Sequence, residues 1–144
     1  MRSVMMSVEE NILVDTSVWI DYLRNKNSKA AEKLDELIQE ACIYVPEVVI
    51  AELIQGAKTK KEVSFISDNF DAFYIIIHKE NTWLRAGKLS FELKHKGFTV
   101  HLVDCYIAVL ARDYKCRIFT LNRHFEFIRK GNREYSGIIY HGET

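Results

Sequence analysis

Apolar residues recur along the chain in two alternating rhythms. Short unbroken apolar runs, "NILVD", "CIYV", "FYIII", "CRIFTL" and "GIIYH", read as strands, the last of them at a sheet edge. The segments between these runs carry the helical period instead. A helix is predicted from Ser17 to about Leu23, and "SKAAEKLDELIQEA" places Leu34, Leu37, Ile38 and Ala41 on one stripe. "PEVVIAELIQGA" opens on the only proline, which suits a first helical position, and closes near Gly56. A polar helix is predicted over "TKKEVSFISDNF" and a long one over "NTWLRAGKLSFELKHKG", stopped by Gly97. "DCYIAVLARDYK" then lines up Ile107, Leu110, Ala111 and Tyr114.

Strands that alternate with helices, and whose apolar residues run continuously, indicate a parallel sheet covered on both faces. The expected architecture is a three-layer α/β/α sandwich around a mostly parallel sheet of four to five strands. Crossovers in such sheets are right-handed, and ligands bind beyond the carboxyl ends of the strands. No linker, repeat or low-complexity tract interrupts the pattern, so residues 1–144 are expected to form one domain, with a core over about 11–141 and a flexible leader over 1–9.

Four polar residues break this apolar pattern at places where a charge or amide is costly unless something pairs with it. Asp15 ends the first strand. Glu52 occupies a core slot on the stripe Val49, Glu52, Leu53 and Gly56, and Asp104 extends the inward stripe of Ile107. Asn122 leaves the fourth strand as Asp15 leaves the first. Taken singly, each has a plain structural explanation. Asp15 and Asp104 suit helix N-caps, Glu52 suits a buried ion pair with an arginine, and Asn122 suits a turn made with its own backbone. Taken together, three acids from distant segments are mutually tolerable if they converge on a hard cation such as Mg²⁺ or Mn²⁺.

Composition and charge narrow the class further. Hydrophobic residues make up 48% and charged residues 28%, as in an ordinary globular domain. "MRSVMMSVEE" holds no signal-peptide core and no stretch is long enough to span a bilayer, which places the protein in the cytoplasm with no membrane partner. Cys42, Cys105 and Cys116 have neither disulfide-framework nor zinc spacing and read as small buried hydrophobes. The net charge of zero conceals a polarity: residues 1–57 carry ten acids and five bases, residues 112–134 seven bases and three acids. Arg123, Arg129, Lys130 and Arg133 are thus candidates to hold phosphates, against the plainer reading of a solvated surface or a groove for an acidic partner.

In their order and spacing, "LVDTSVWIDYL", "VVIAELIQGA", "LVDCYIAVLA" and "IFTLNRHFEFI" resemble the four motifs of PIN-domain proteins, most closely the VapC toxins of toxin–antitoxin pairs, over roughly residues 11–130. The resemblance implies an endoribonuclease that uses Mg²⁺ or Mn²⁺, acts on RNA to inhibit translation, pairs with a VapB-like antitoxin and forms a homodimer, through the helices around residues 47–70. Asp15, Glu52 and Asp104 match the family's acidic positions. Asn122 stands where many members carry a fourth acid, which bears on a second metal more than on activity. Thr16 or Ser17 matches a hydroxyl position, and Asp21 matches an aspartate suited to a supporting role.

Phosphodiester hydrolysis needs an activated water and a cation to offset developing charge. In that scheme Asp15 and Asp104 ligate the metal, Glu52 positions or deprotonates the water, and Thr16, Ser17 and Asn122 form an outer shell. His124, Phe125, Phe127, Trp19 and Trp83 are read as packing, capping or interface residues. The alternatives are a non-catalytic module of the same fold and a DNA- or structure-specific nuclease. A haloacid-dehalogenase phosphatase would need an aspartate where Ser17 stands, and a response-regulator receiver a lysine after the last strand, which here ends "IIYH".

Overall fold

The computed structural model describes residues 10–137 and, for the backbone, 139–141; the leader expected over residues 1–9 lies outside them. Five parallel strands form one sheet in the order β3-β2-β1-β4-β5: β1 Asn11–Val14, β2 Cys42–Pro46, β3 Tyr74–Ile76, β4 Arg117–Thr120 and β5 Ile139–His141. The helices are α1 Thr16–Arg24, α2 Lys29–Glu40, α3 Glu47–Gln55, α4 Lys60–Asn69, α5 Thr82–His95, α6 Leu102–Asp113 and α7 His124–Gly131. The chain moves from β1 to β2 to β3 in one direction and then returns across the sheet to β4 and β5. Right-handed crossovers therefore place α1 to α4 over one face and α5 to α7 over the other. The helix contacts divide in the same way, α1 with α2 and α3, and α5 with α6 and α7. The result is the three-layer α/β/α sandwich expected from the sequence.

The core is the sheet and the inward stripes of these helices. Leu13, Val14, Val45, Ile118 and Phe119 are buried in the strands; Leu34, Val49, Leu93, Leu110 and Phe125 cover them from the helices. Trp19 anchors α1 within an aromatic cluster, its ring 4.7 Å from Phe70 and 5.3 Å from Phe73. Across α5 and α6, Arg85 grips Asp113 with both guanidinium nitrogens, at 2.8 and 2.7 Å. This fork holds the Asp113 carboxyl below its usual range and strengthens the largest helix–helix contact.

The chain turns as its residue types require. Gly97 ends α5 with φ 91°, while the amides of Gly97 and Phe98 bond the carbonyls of Lys94 and Leu93 at 3.0 and 2.8 Å. Paired bonds of this kind close a helix on a left-handed residue, where glycine is unstrained. Pro46, expected as the first residue of a helix, is the last residue of β2 and the N-cap of α3. The sequence reading had no helix over His124–Gly131; α7 packs there against α5. No helix among the described residues is long and apolar enough to cross a membrane.

Candidate active site

Strand β1 has β2 on one side and β4 on the other, and the chain leaves β1 and β4 towards opposite faces. A crevice opens at such a reversal, beyond the carboxyl ends of the two strands. The register pairs Val14 with Phe119, so Asp15 and Thr120 emerge side by side at this point. The amide of Asp15 still bonds the carbonyl of Phe119 at 3.0 Å.

Asp15 is 4% exposed and Thr120 fully buried. By backbone geometry Asp15 is the N-cap of α1, its carbonyl accepting from Val18, yet its side chain makes no capping bond. The carboxylate instead accepts two hydroxyl protons on the same oxygen. Ser17 Oγ and Thr120 Oγ1 each donate to Asp15 Oδ2 at 2.8 Å. Each hydroxyl in turn accepts one backbone N–H: Leu121 donates to Ser17 and Asn122 to Thr120, both at 2.9 Å. A hydroxyl has one proton, so both are committed to Asp15 and the 3.4 Å approach of Ser17 to Thr120 is a contact without a hydrogen bond. Burial pushes the Asp15 carboxyl above its ordinary range, opposed by these two hydroxyls and by the amides of Thr16 and Ser17.

Glu52 and Asp104 face the same end of the sheet, both half-buried. Thr16 Oγ1 donates to Glu52 Oε1 at 2.7 Å, tying α3 to the start of α1. No lysine or arginine among the described residues pairs with Glu52, which removes the buried ion pair as its explanation. Asp104 lies in the first turn of α6, whose N-cap is His101, so it is not a cap either. Burial pushes the Asp104 carboxyl up to about 6, and the charges of Asp15 and Glu52 add to the rise. His101 and His124 oppose it. Asp104 on α6 thus lies in the field of Asp15, at the end of β1, and of Glu52 on α3, and no lysine or arginine among the described residues pairs with any of the three.

The donor set is oxygen-only and fits a hard cation, though as an open site. No three aspartate, glutamate, histidine or cysteine side chains among the described residues close around one point. Mg²⁺ commonly takes one or two carboxylates and completes its sphere with water and substrate phosphate. Asp15 and Asp104 can supply that pair, while Thr16 engages one oxygen of Glu52.

The other residues singled out by the sequence separate into those joined to the acids and those that are not. Asn122 joins them through Thr120, and its Oδ1 accepts the His124 amide at 2.9 Å, the local turn that asparagine favours. Asp21 lies further along α1 and accepts from Ser28, bracing the start of α2. Arg123 and Lys130 are exposed; Arg129 instead bonds Glu126 Oε1 through Nε at 2.8 Å and Nη2 at 2.5 Å. Two residues escaped the sequence reading. Thr120 carried a signal in the β1–β4 alignment, which places it beside Asp15. His101 carried one in its spacing, three residues and so one helical turn before Asp104.

The chain matches the model of the PIN domain over residues 12–131. It is 31% identical to Ribonuclease VapC1 of Methanocaldococcus jannaschii over 123 residues, covering 85% of this chain and 84% of that protein. With Ribonuclease VapC11 of Mycobacterium tuberculosis it shares 28% identity, over 83% of this chain and 92% of that one. Among solved structures, a VapBC2 complex of Rickettsia felis bound to a promoter DNA fragment contains a chain of the same fold. The TM-score is 0.73 at 21% identity, covering 92% of this chain and 99% of that chain.

Proposed function

The chain belongs to the PIN-domain family, and on that premise we propose that it is a metal-dependent endoribonuclease, the toxin of a VapBC pair, which cuts RNA in the cytoplasm and thereby inhibits translation. The observation that carries this reading is Asp15. It is a carboxylate 4% exposed at the reversal of the sheet, fixed by Ser17 and Thr120, and its charge, with that of Glu52, acts on Asp104. A carboxylate buried among acids with no internal cation is costly to a fold that has no use for it. The relatives named as VapC ribonucleases support the same conclusion.

In this reading Asp15 and Asp104 hold Mg²⁺ or Mn²⁺. The bound cation would supply Lewis-acid stabilisation of the phosphoryl oxygens and a more acidic water. Ser17 and Thr120 fix the plane of Asp15, so that its carboxylate does not need to reorganise. Glu52, oriented by Thr16, aligns the attacking water and accepts its proton. Asn122 holds the backbone that supplies the amides of this network. Exposed Arg123, one residue after Asn122, and exposed Lys130, further along α7, are the cations assigned to the phosphate backbone, and Arg129, paired with Glu126, contributes less.

A VapB-like antitoxin is the proposed protein partner. The groove between α1, α3 and α4, about 620 Å³ and lined by Ile20, Leu23, Leu53, Phe65 and Ile66 with Glu52 at one end, is the surface assigned to it. Ile20 and Phe65 are half exposed there, and Arg24, Lys26, Lys58 and Lys61 provide a basic rim for an acidic segment. A homodimer completes the proposal.

The test is cleavage of total RNA by the protein freed of any partner, with Mg²⁺ or Mn²⁺ and with chelator, beside Asp15→Asn. Discrete cuts that vanish with chelator and with the variant are expected. Cleavage that persists in Asp15→Asn would remove the assignment, and folded, metal-binding protein that cuts nothing would favour a binding module.

A further inference from the structure

Beside the acids stands a row of rings that the catalytic scheme does not use. Phe98 and Phe127 stack at 5.4 Å and 25°. Phe127 and His124 continue the stack at 5.7 Å and 23°. The His101 ring lies 6.0 Å from that of His124, tilted by 51°. The inner end, half-buried Phe98 and Phe127, has a packing role between α7 and the end of α5. The outer end has none: His124 and His101 are both exposed.

Covalent and hydrogen-bonded links fix the outer end to the site. The His124 amide bonds Asn122 Oδ1, the Asn122 amide bonds Thr120 Oγ1, and Thr120 bonds Asp15, each at 2.8 to 2.9 Å. The His101 carbonyl accepts from the Asp104 amide at 3.0 Å. The stack therefore ends beside the acids from two directions at once. Exposed Arg123, the N-cap of α7 next to His124, adds a cation at this end of the helix, which favours a polyanion over an apolar peptide.

We propose that His124, backed by Phe127 and Phe98, is the stacking platform for a nucleobase next to the scissile phosphate, with His101 as the hydrogen-bonding wall at its edge. The inference rests on the ribonuclease reading above. Every base has a flat face, so the platform selects unstacked, single-stranded RNA over duplex without selecting a sequence. His124 is thereby a positioning residue: it fixes where the strand lies and so which phosphate meets the acids.

The experiment measures fluorescence anisotropy of labelled ten-nucleotide RNAs with chelator present, so that nothing is cleaved. The probes are oligoadenylate and an abasic ten-mer carrying sugar and phosphate only; the proteins are wild type, His124→Ala and His124→Phe. His124→Ala is expected to lose about 10-fold in affinity for oligoadenylate, a typical effect of removing one stacked ring, with no change for the abasic strand. His124→Phe, which keeps a flat ring and loses the ring nitrogens, is expected to stay within about 2-fold of wild type on the same basis. Equal loss on both probes would make the contact ionic and overturn the proposal, as would wild-type affinity in His124→Ala. Wild type that cuts total RNA while His124→Ala binds normally would sink this inference and leave the ribonuclease reading intact. Ring-dependent binding by a wild type that cuts nothing would do the reverse.

Discussion

Thr120 gives its hydroxyl proton to Asp15 Oδ2, the same oxygen that Ser17 serves, from a position 105 residues away. The pair of hydroxyls is thus a clamp, and each half of it also takes an amide of the chain leaving β4. Thr120→Val keeps the shape and deletes the proton. Loss of the bond and of the acceptor for the Asn122 amide is expected to lower stability by about 1–3 kcal/mol. Cleavage should fall at least about tenfold, because Asp15 loses its orientation. Ser17→Ala should behave alike, and the double variant should lose less than the two losses summed. Denaturant melts and single-turnover cleavage rates on all four proteins measure this; strict additivity in both would dismiss the clamp.

Asp104 titrates near 6 in the fold, against an ordinary aspartate value of 3.8. Between these values the folded chain holds more protons than the unfolded one, so this group's contribution to stability falls as pH rises from about 4 to about 6, and stays low above it. Asp104→Asn should therefore stabilise the metal-free protein at pH 7 to 8, by about 1–2 kcal/mol after allowance for partial exposure. The advantage should shrink at pH 4. Thermal melts in chelator across this range test the sign, and a gain that is constant with pH would contradict it. Divalent metal should raise the melting temperature of wild type and leave the variant unmoved.

Gly131 closes α7 against the end of α5, and a Cβ there would stand 2.3 Å from Leu93 Cδ2 and 3.1 Å from Phe98 Cδ2. Leu93 is fully buried and has nowhere to move. Gly131→Ala is expected to destabilise by about 1–3 kcal/mol despite alanine's better helix propensity. A chemical melt decides; a neutral result would mean that α7 shifts as a body, which the oligoadenylate affinity would then register through Phe98.

Arg123 is exposed beside the acids, whereas Arg129 is held by Glu126. Arg123→Ala should reduce the slope of log affinity for RNA against log salt by about 0.7, the value for one contact to a single strand. Arg129→Ala should change it by less. Binding titrations at four salt concentrations, in chelator, separate the two, and an equal change for both would assign Arg129 to the strand as well.

The fold was legible because its signals are local. Continuous apolar runs mark the buried strands β1, β2 and β4, and also β3, whose Tyr74 and Ile75 are exposed at the sheet edge, and the i, i+3, i+4 spacing of Leu34, Leu37 and Ile38 needs no partner to be read. Helix α7 lacked such a signal: Phe125 and Ile128 are its buried side chains, too few to show a period over eight residues. Within the site, Asp15, Glu52 and Asp104 stood out because charge is rare on an inward face. Thr120 did not stand out, since a threonine at a strand end is unremarked until β4 lies beside β1. His124 reads as a packing or capping group and His101 draws no reading at all, because their exposure and the stack of His124 on Phe127 are properties of the tertiary structure alone.

The order of the sheet also sets a timetable. Strand β1 is made well before β4, the neighbour that completes its far side. A nascent chain that has delivered Asp15 and Glu52 still lacks Asp104 and the threonine that orients Asp15. A chain that stops before Thr120 therefore lacks one of the two hydroxyls that fix Asp15, whatever acids it already contains.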